Sequence, residues 1–258
     1  MQPNHFFFLQ QTMAKLSFFV GVIGNVISVL MFLSPVGTFQ RIIRNKSTEQ
    51  FESFPYVCTW LNSSLWTYYG IIKPGAYLVA TINTFGVVVQ SFFLGVFLIY
   101  APSAMKVRTG ILVGILDIGM LTATIAVSEL ALEGGKRIGA LGFVCAGLNI
   151  MMYASPLSVM KTVIKSRSVE YMPFMLSLFF FLNGGIWTFY AFLVHDWFLA
   201  VPNGMGLGLG LTQLLLYAIY RNAKRPLNTS IITSQHQQQN SQTQPLISSS
   251  HPDPQPQP

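Results

Sequence analysis

Hydrophobic and polar positions alternate on a long scale in this chain: seven apolar runs of helical length are separated by short polar or basic segments. The runs cover residues 17–37, 56–72, 78–100, 110–130, 138–160, 172–194 and 198–220. Each approaches or exceeds the about 20 apolar residues that carry a helix across a bilayer. Their apolar residues go round the whole helix instead of forming one stripe, which is the pattern of a membrane span and not of a soluble helix. The expected fold is an all-α integral membrane protein with seven transmembrane helices.

The polar residues inside the runs repeat. The stretch LNSSLWTYYGIIKPGAYLVATIN at 61–83 returns as LNGGIWTFYAFLVHDWFLAVPN at 182–203. Leu61-Asn62, Trp66-Thr67 and Tyr69 recur 121 positions later as Leu182-Asn183, Trp187-Thr188 and Tyr190, and Asn83 recurs 120 positions later as Asn203. The register extends to Ser34-Pro35 with Ser155-Pro156, Ser47 with Ser168 and Tyr100 with Tyr220. Such self-similarity reads as one membrane unit written twice, at 17–100 and 138–222. Three spans reverse the direction of the chain, so a parallel second copy needs one extra crossing. Residues 101–137, with the fourth run, supply it as a linker helix. The layout is 3+1+3, preceded by an N-terminal segment at 1–16 and followed by a tail at 223–258. The Pro, Gln, Ser and Asn content of that tail is that of a disordered segment.

Composition and charge add orientation. Hydrophobic residues make up 52% of the chain and charged ones only 9%, against about 25% in soluble domains. The net charge of +7 is not a nucleic-acid footprint, because the basic residues sort by loop. With the N-terminus outside, eleven face the cytosol (Arg41, Arg44, Lys46, Lys106, Arg108, Lys161, Lys165, Arg167, Arg221, Lys224, Arg225) and four face out (Lys15, Lys73, Lys136, Arg137). The positive-inside rule therefore puts the N-terminus outside or in a lumen and the C-terminus in the cytosol. Cys58 and Cys145 fall within spans, so no disulfide framework is implied. The N-terminus has neither a basic leader nor a small-residue cleavage site, so the first span is expected to be an uncleaved anchor. The sequons at Asn45, Asn62 and Asn228 lie on the cytosolic side or inside a span and are expected to be unused. Gln244-Pro245-Leu246-Ile247 is only a weak sorting motif, without the upstream acid.

Candidate chemistry comes from the duplicated polar residues. Asn62 and Trp66 are four residues apart and share one helix face. One such Asn is explained by an interhelical hydrogen bond. Recurrence of the set as Asn183, Trp187 and Asn203, with Asn83 in the third span, points instead to a site between the copies. Amides pair with hydroxyls as donor and acceptor, and indole faces stack on the apolar face of a sugar ring. Pro35, Pro55, Pro156 and Pro173 lie near the cytosolic ends of four spans, where they read either as hinges of a gate or as simple helix ends. Tyr69 and Asp196 form a candidate closure of the outer mouth, and an aromatic belt accounts for Tyr69 as well. Asp117 lies in the unrepeated span, where a structural or interface role is expected. Gly21, Gly24, Asn25 and Ser28 read as small residues at close helix contacts, and so do the glycines of GMGLGLG at 204–210, which is not a phosphate loop.

These residues resemble the plant SWEET sugar transporters over 17–222. The stretches that carry the resemblance are GVIGNVISVLMFLSPVGTF, KSTEQFESFPYVCT, LWTYYG, ATINTFG, ASPLSVMKTVIKSRSVEYMPF and AVPNGMG. The resemblance implies two three-helix bundles joined by a linker helix, moving sugars down their gradient in either direction. It places the family's pocket asparagines on Asn83 and Asn203, its pocket tryptophans on Trp66 and Trp187, its hinges on the four prolines, and its outer gate on Tyr69 and Asp196. Sugar size in the family tracks positions that are here Met31, Asn62, Met152 and Asn183. Sucrose-type members tend to carry Val and Ser there, so the bulkier residues favour hexoses. The segments 21–36 and 47–71 look most like the vacuolar branch, associated with fructose and glucose, although Gly37 and Gln40 depart from its usual Glu and aromatic residue. Assembly with copies of itself or with other SWEETs is implied in the same way.

Other functions fit less well. A receptor needs no duplication, and neither a DRY triplet nor NPxxY is present. A retinal protein wants a Lys in the last span, and there is none. An intramembrane enzyme needs a nucleophile–base pair or metal ligands, and His195 at a span edge is the only His next to a span. No enzyme activity, cofactor or metal is expected. Related PQ-loop carriers of amino acids would want a Lys or Arg for the carboxylate. Within the two repeats no acid lies deep in a span, so uniport is expected over proton coupling.

Overall fold

The structure, a computed structural model, describes residues 3–170 and 172–222, and all regular structure among them is helical. The tail at 223–258, with Asn228 and the segment 244–247, lies outside the described residues. The first copy comprises α1 (Pro3–Leu33), α2 (Val36–Asn45), α3 (Phe54–Ile72) and α4 (Tyr77–Tyr100). The linker is α5 (Ser103–Leu112), a π-helical segment Val113–Met120, and α6 (Leu121–Ala131). The second copy is α7 (Gly134–Met152), α8 (Ala154–Ser166), α9 (Phe174–Leu193) and α10 (Trp197–Tyr220).

Two predicted spans are broken, each at its proline. The run 17–37 ends as α1 at Leu33 and resumes as α2, which Pro35 caps at φ −78°. The run 138–160 breaks at Tyr153, between α7 and α8, with Pro156 in the first turn of α8. Proline lacks the N–H that the carbonyl four residues back expects, so Met31 and Met152 each lose a helical donor. Ser34 N–H bonds the Met31 carbonyl instead, at 3.1 Å. The first helix also begins earlier than the predicted span: α1 takes in most of the segment assigned to the N-terminus.

Within the first copy α4 packs against both α1 and α3, and within the second α10 packs against both α7 and α9. The copies meet reciprocally, α1 on α9 and α7 on α3. Close approach depends on glycine. A Cβ on Gly70 would come within 2.6 Å of the Ala80 nitrogen, on Gly184 within 2.6 Å of the Leu207 nitrogen, and on Gly210 within 2.6 Å of the Phe181 Cα. The predicted small face of α1 is equally tight, with Gly21 against Leu78 and Tyr190, and Gly24 against Trp187.

The main core lies where the copies meet, and joins Leu61, Leu65, Trp66 and Val79 to Leu141, Cys145, Trp187 and Ala191. Smaller clusters sit under α2 and α8. Phe39 and Ile42 are buried in one, and Met160 and Val163, each 121 positions later, in the other. The loops that follow are also duplicated. Lys46 and Arg167 end α2 and α8 in the left-handed conformation, at φ 49° each. Hydrogen bonds from Arg41 and Asn45 hold the Glu49 carboxyl below its ordinary range.

Apolar side chains such as Val88, Phe92, Ile99, Ile115 and Leu130 are exposed, while Gln90, Asp117 and Gln213 are buried. This inverts a soluble protein and suits a chain in lipid. Six rods are long and apolar enough to cross a membrane. The seventh, α3, is more polar, because Ser63, Ser64 and Trp66 on it are turned towards neighbouring helices and buried.

Candidate substrate cavity

A cavity of about 440 Å³ lies between the two copies. All eight residues expected to contact substrate line it: Asn83, Asn203, Trp66, Trp187, Asn62, Asn183, Met31 and Met152. Pro35, Pro55 and Pro156 line it as well, and Pro173, the residue before α9, does not. No acidic or basic side chain is among the lining residues.

The two tryptophans are held alike. Trp66 meets Tyr69 edge-on at 5.2 Å and 79°, and Trp187 meets Tyr190 at 5.3 Å and 75°. Such edge contacts fix the indoles while leaving their faces for a ring to stack on. The asparagines of α4 and α10 are also set alike. Asn83 Nδ2 donates to the Val79 carbonyl at 2.8 Å, and Asn203 Nδ2 to the Leu199 carbonyl at 2.8 Å. One N–H of each amide is committed to its own helix, so the second N–H and the Oδ1 are left to donate to and accept from a ligand hydroxyl.

Beyond the tryptophans the cavity is closed. Tyr69 and Asp196 are buried, and the Tyr69 hydroxyl lies 3.0 Å from both Asp196 carboxylate oxygens. Lys73 completes the lock: its Nζ donates to Tyr69 Oη at 3.0 Å and pairs with Asp196 Oδ2 at 2.6 Å. Asp196 also accepts the Leu199 N–H, capping α10. The expected pair is thus a triad. Lys73 is four residues from Tyr69, on the same helix face, and that spacing was available in the sequence.

None of the four prolines interrupts a continuous helix. Pro55 occupies the first turn of α3, where a missing N–H costs nothing. Pro35 and Pro156 sit at the breaks already described, and Pro173 precedes α9. Among the described residues the one proline beyond the first turn of a helix is Pro202 in α10, whose carbonyl accepts the Tyr153 hydroxyl at 2.5 Å. Its counterpart in the first copy is Ile82, 120 positions earlier, so the repeat gave no sign of it.

Further polar residues line the cavity without having been singled out for it, among them Ser28, Gln90 and Asn149. Ser28 and Asn149 are 121 positions apart. The register would have found them, but their side chains differ and Ser28 read as a packing residue. Ser28 Oγ accepts from Trp187 Nε1 at 2.9 Å and donates to Asn183 Oδ1 at 2.5 Å. Asp117 is elsewhere. It is buried within the π segment, outside the cavity lining, and neither carboxylate oxygen has a hydrogen-bond partner.

Comparison with known proteins agrees with this geometry. A family model described as "Sugar efflux transporter for intercellular exchange" matches residues 18–105 and again 139–225, the two copies read from the repeat. The chain is 52% identical to the bidirectional sugar transporter SWEET17 of Arabidopsis thaliana, over 92% of this chain and 100% of that one. It is 55% identical to SWEET16 of the same plant, over 82% of this chain and 93% of that one. A solved structure of a eukaryotic SWEET transporter superposes with a TM-score of 0.78 at 39% identity, covering 81% of this chain and 99% of that one.

Proposed function

The chain belongs to the family of sugar efflux transporters for intercellular exchange, the SWEET transporters, and on that footing we propose that it is a facilitative, bidirectional hexose uniporter. Fructose and glucose are the proposed substrates, and the membrane proposed is that of the vacuole, with the plasma membrane as the alternative. The relatives at 52% and 55% identity are named bidirectional sugar transporters. The observation that carries the reading is the cavity lining, which holds paired amides and paired indoles and no charged side chain. Such a wall suits a neutral polyol. It offers no Lys or Arg to an amino-acid carboxylate, no counter-charge to a charged substrate and no carboxylate or His to a coupling proton.

In this reading the two copies rock about the sugar. With the Tyr69–Asp196–Lys73 lock closed, the cavity communicates with the side bounded by Pro35, Pro55 and Pro156, and bending at the α1–α2 and α7–α8 breaks closes that side while the lock opens. Access alternates while the site stays fixed. Met31, Met152, Asn62 and Asn183 narrow the cavity towards one ring instead of two. Assembly with copies of itself or with other SWEETs belongs to the same proposal.

The test is radiolabelled uptake of fructose, glucose and sucrose in hexose-transport-deficient yeast, with and without a protonophore, beside Asn83→Ala and Asn203→Ala. Hexose uptake that survives the protonophore and is lost in both variants is expected. Uptake abolished by the protonophore would overturn uniport. Sucrose carried as well as hexose would overturn the size reading, and no uptake by protein at the cell surface would overturn sugar as the cargo.

A further inference from the structure

The two halves of the cavity are alike in sequence and unlike in hydrogen bonding. In the second copy the indole N–H of Trp187 and the Oδ1 of Asn183 are both satisfied by one hydroxyl, that of Ser28, which accepts from the first and donates to the second. In the first copy the equivalent atoms, Trp66 Nε1 and Asn62 Oδ1, are buried and have no partner in the protein. The residue in the place of Ser28 is Asn149, 121 positions later. It lines the cavity and makes no side-chain hydrogen bond among the described residues. A third buried atom without a partner, Gln90 Oε1, is on the same wall. Gln90 is 4% exposed, and it lies two helical turns, about 10 Å, beyond Asn83 on α4, towards the end of the cavity lined by Pro35 and Pro55. Buried polar atoms are seldom left unpaired. Here three of them line the cavity on α3 and α4; the counterparts of two, Trp187 Nε1 and Asn183 Oδ1 on α9, are paired, and the counterpart of Gln90, 120 positions later on α10, is Gly210, which has no side chain.

We propose that the substrate binds off the pseudo-twofold axis, against the first copy. One substrate hydroxyl takes, between Trp66 Nε1 and Asn62 Oδ1, the place that the Ser28 hydroxyl takes between Trp187 Nε1 and Asn183 Oδ1. Gln90 accepts a second hydroxyl as the sugar moves towards the proline end. The inference rests on the sugar-transport reading and deepens it. A hydroxyl both accepts and donates, so a sugar hydroxyl completes the Trp66–Asn62 pair in the place a water would otherwise take. An amine cation cannot accept from the indole, and a carboxylate cannot donate to the amide. The second wall contributes its ring face and its amide at Asn203, while its indole N–H is spent within the protein. Ser28 is a positioning residue: it fixes Trp187 and Asn183 and withdraws them from the substrate's hydroxyls.

The test compares Trp66→Phe with Trp187→Phe in proteoliposome uptake of glucose, together with Gln90→Met and a series of monodeoxyglucoses. Phenylalanine keeps a ring against Tyr69 or Tyr190 and removes the N–H together with the second ring of the indole, a volume loss common to both variants, so the difference between the two reads the N–H; a melting temperature for each purified variant reports folding. Losing one hydrogen bond to substrate corresponds to a rise in KM of about three- to tenfold. That rise is expected for Trp66→Phe and not for Trp187→Phe. One monodeoxy sugar should show the same loss on the wild type and no further loss on Trp66→Phe, the non-additivity of a shared bond. Gln90→Met should slow efflux or raise KM. Equal effects of the two tryptophan changes would overturn one-sided binding. An unchanged Gln90→Met would remove Gln90 from the path. Absence of any sugar uptake by the wild type would overturn the transport reading and this inference with it.

Discussion

At the scale of single residues, the closed end of the cavity depends on one hydroxyl. Tyr69 Oη touches both oxygens of a buried carboxylate and receives a bond from Lys73. Hydrogen bonds to charged groups contribute about 1.5–3 kcal/mol each, so Tyr69→Phe should bias the carrier away from this closed state. Uptake is expected to fall by more than about tenfold by that same measure, while a thiol-reactive probe should reach a cysteine placed at Val79 faster than in the parent. An unchanged probe rate would separate the triad from gating. Lys73→Met should act on stability instead. It leaves a carboxylate that is 1% exposed without its cation, a loss worth about 3 kcal/mol, the low end for a buried pair because Lys73 itself is partly exposed. Thermal melting in detergent measures it. Among the wall residues, Asn62→Ser with Met31→Val and Met152→Val should admit sucrose. Asn183→Ser carries an added cost, because Asn183 also holds Ser28. The site was legible at this scale because the chain states it twice, and one Asn–Trp pair would have passed for helix packing. What duplication hid was the difference between the halves: Ser28 and Asn149 share a position and not a side chain, so only coordinates show which wall is already satisfied.

Helices, as elements, were legible by length and apolarity, and their interruptions were not. Pro35 and Pro156 announced breaks, yet whether proline ends a helix or bends it depends on what meets the freed carbonyls, and here Ser34 N–H meets that of Met31. The π segment of the linker gave no sign at all. Its eight residues, Val113–Met120, are no less apolar than their neighbours, and the wider turn coincides with the burial of Asp117. A buried carboxylate without a partner is costly, so Asp117→Leu should raise the melting temperature, by about 2–4 °C for each kcal/mol recovered in a chain of this size. A lower melting temperature would show that the carboxyl has a partner in the membrane. At the other end of the linker the polar side chains are bonded to one another, with Arg137 Nε alone left over. Tyr68 Oη donates to Glu129 at 2.7 Å and accepts from Arg137 at 2.9 Å, and Arg137 pairs with Glu129. One hydroxyl therefore ties α3, α6 and α7 together. Tyr68→Phe should cost about 1–3 kcal/mol and loosen the linker against both copies, and hydrogen exchange confined to α6 and the start of α7 would report it.

For the whole molecule, duplication supplies a symmetrical frame, and the departures from symmetry carry direction. The Tyr69 lock closes one end only. Pro202 lies inside α10 and has no proline counterpart in α4. Ser28 satisfies one wall and leaves the other open. A uniporter with a charge-free cavity draws no direction from the membrane potential, so the side that each gate faces is decided at insertion. Among the described residues nine basic residues lie on the side of the α2 and α8 loops, and four on the side of the lock. Loops rich in Lys and Arg remain cytosolic. On this basis the expected orientation puts the lock towards the lumen or the outside and the opposite end of the cavity towards the cytosol. In intact vacuoles isolated from cells expressing a tagged chain, an epitope after residue 222 should be removed by added protease, while one inserted between Lys73 and Tyr77 should survive until the membrane is permeabilised. The reverse pattern would invert the carrier and make the Tyr69 lock a cytosolic gate. Protection of both epitopes would contradict an odd number of crossings, and with it the linker helix that the parallel repeat requires.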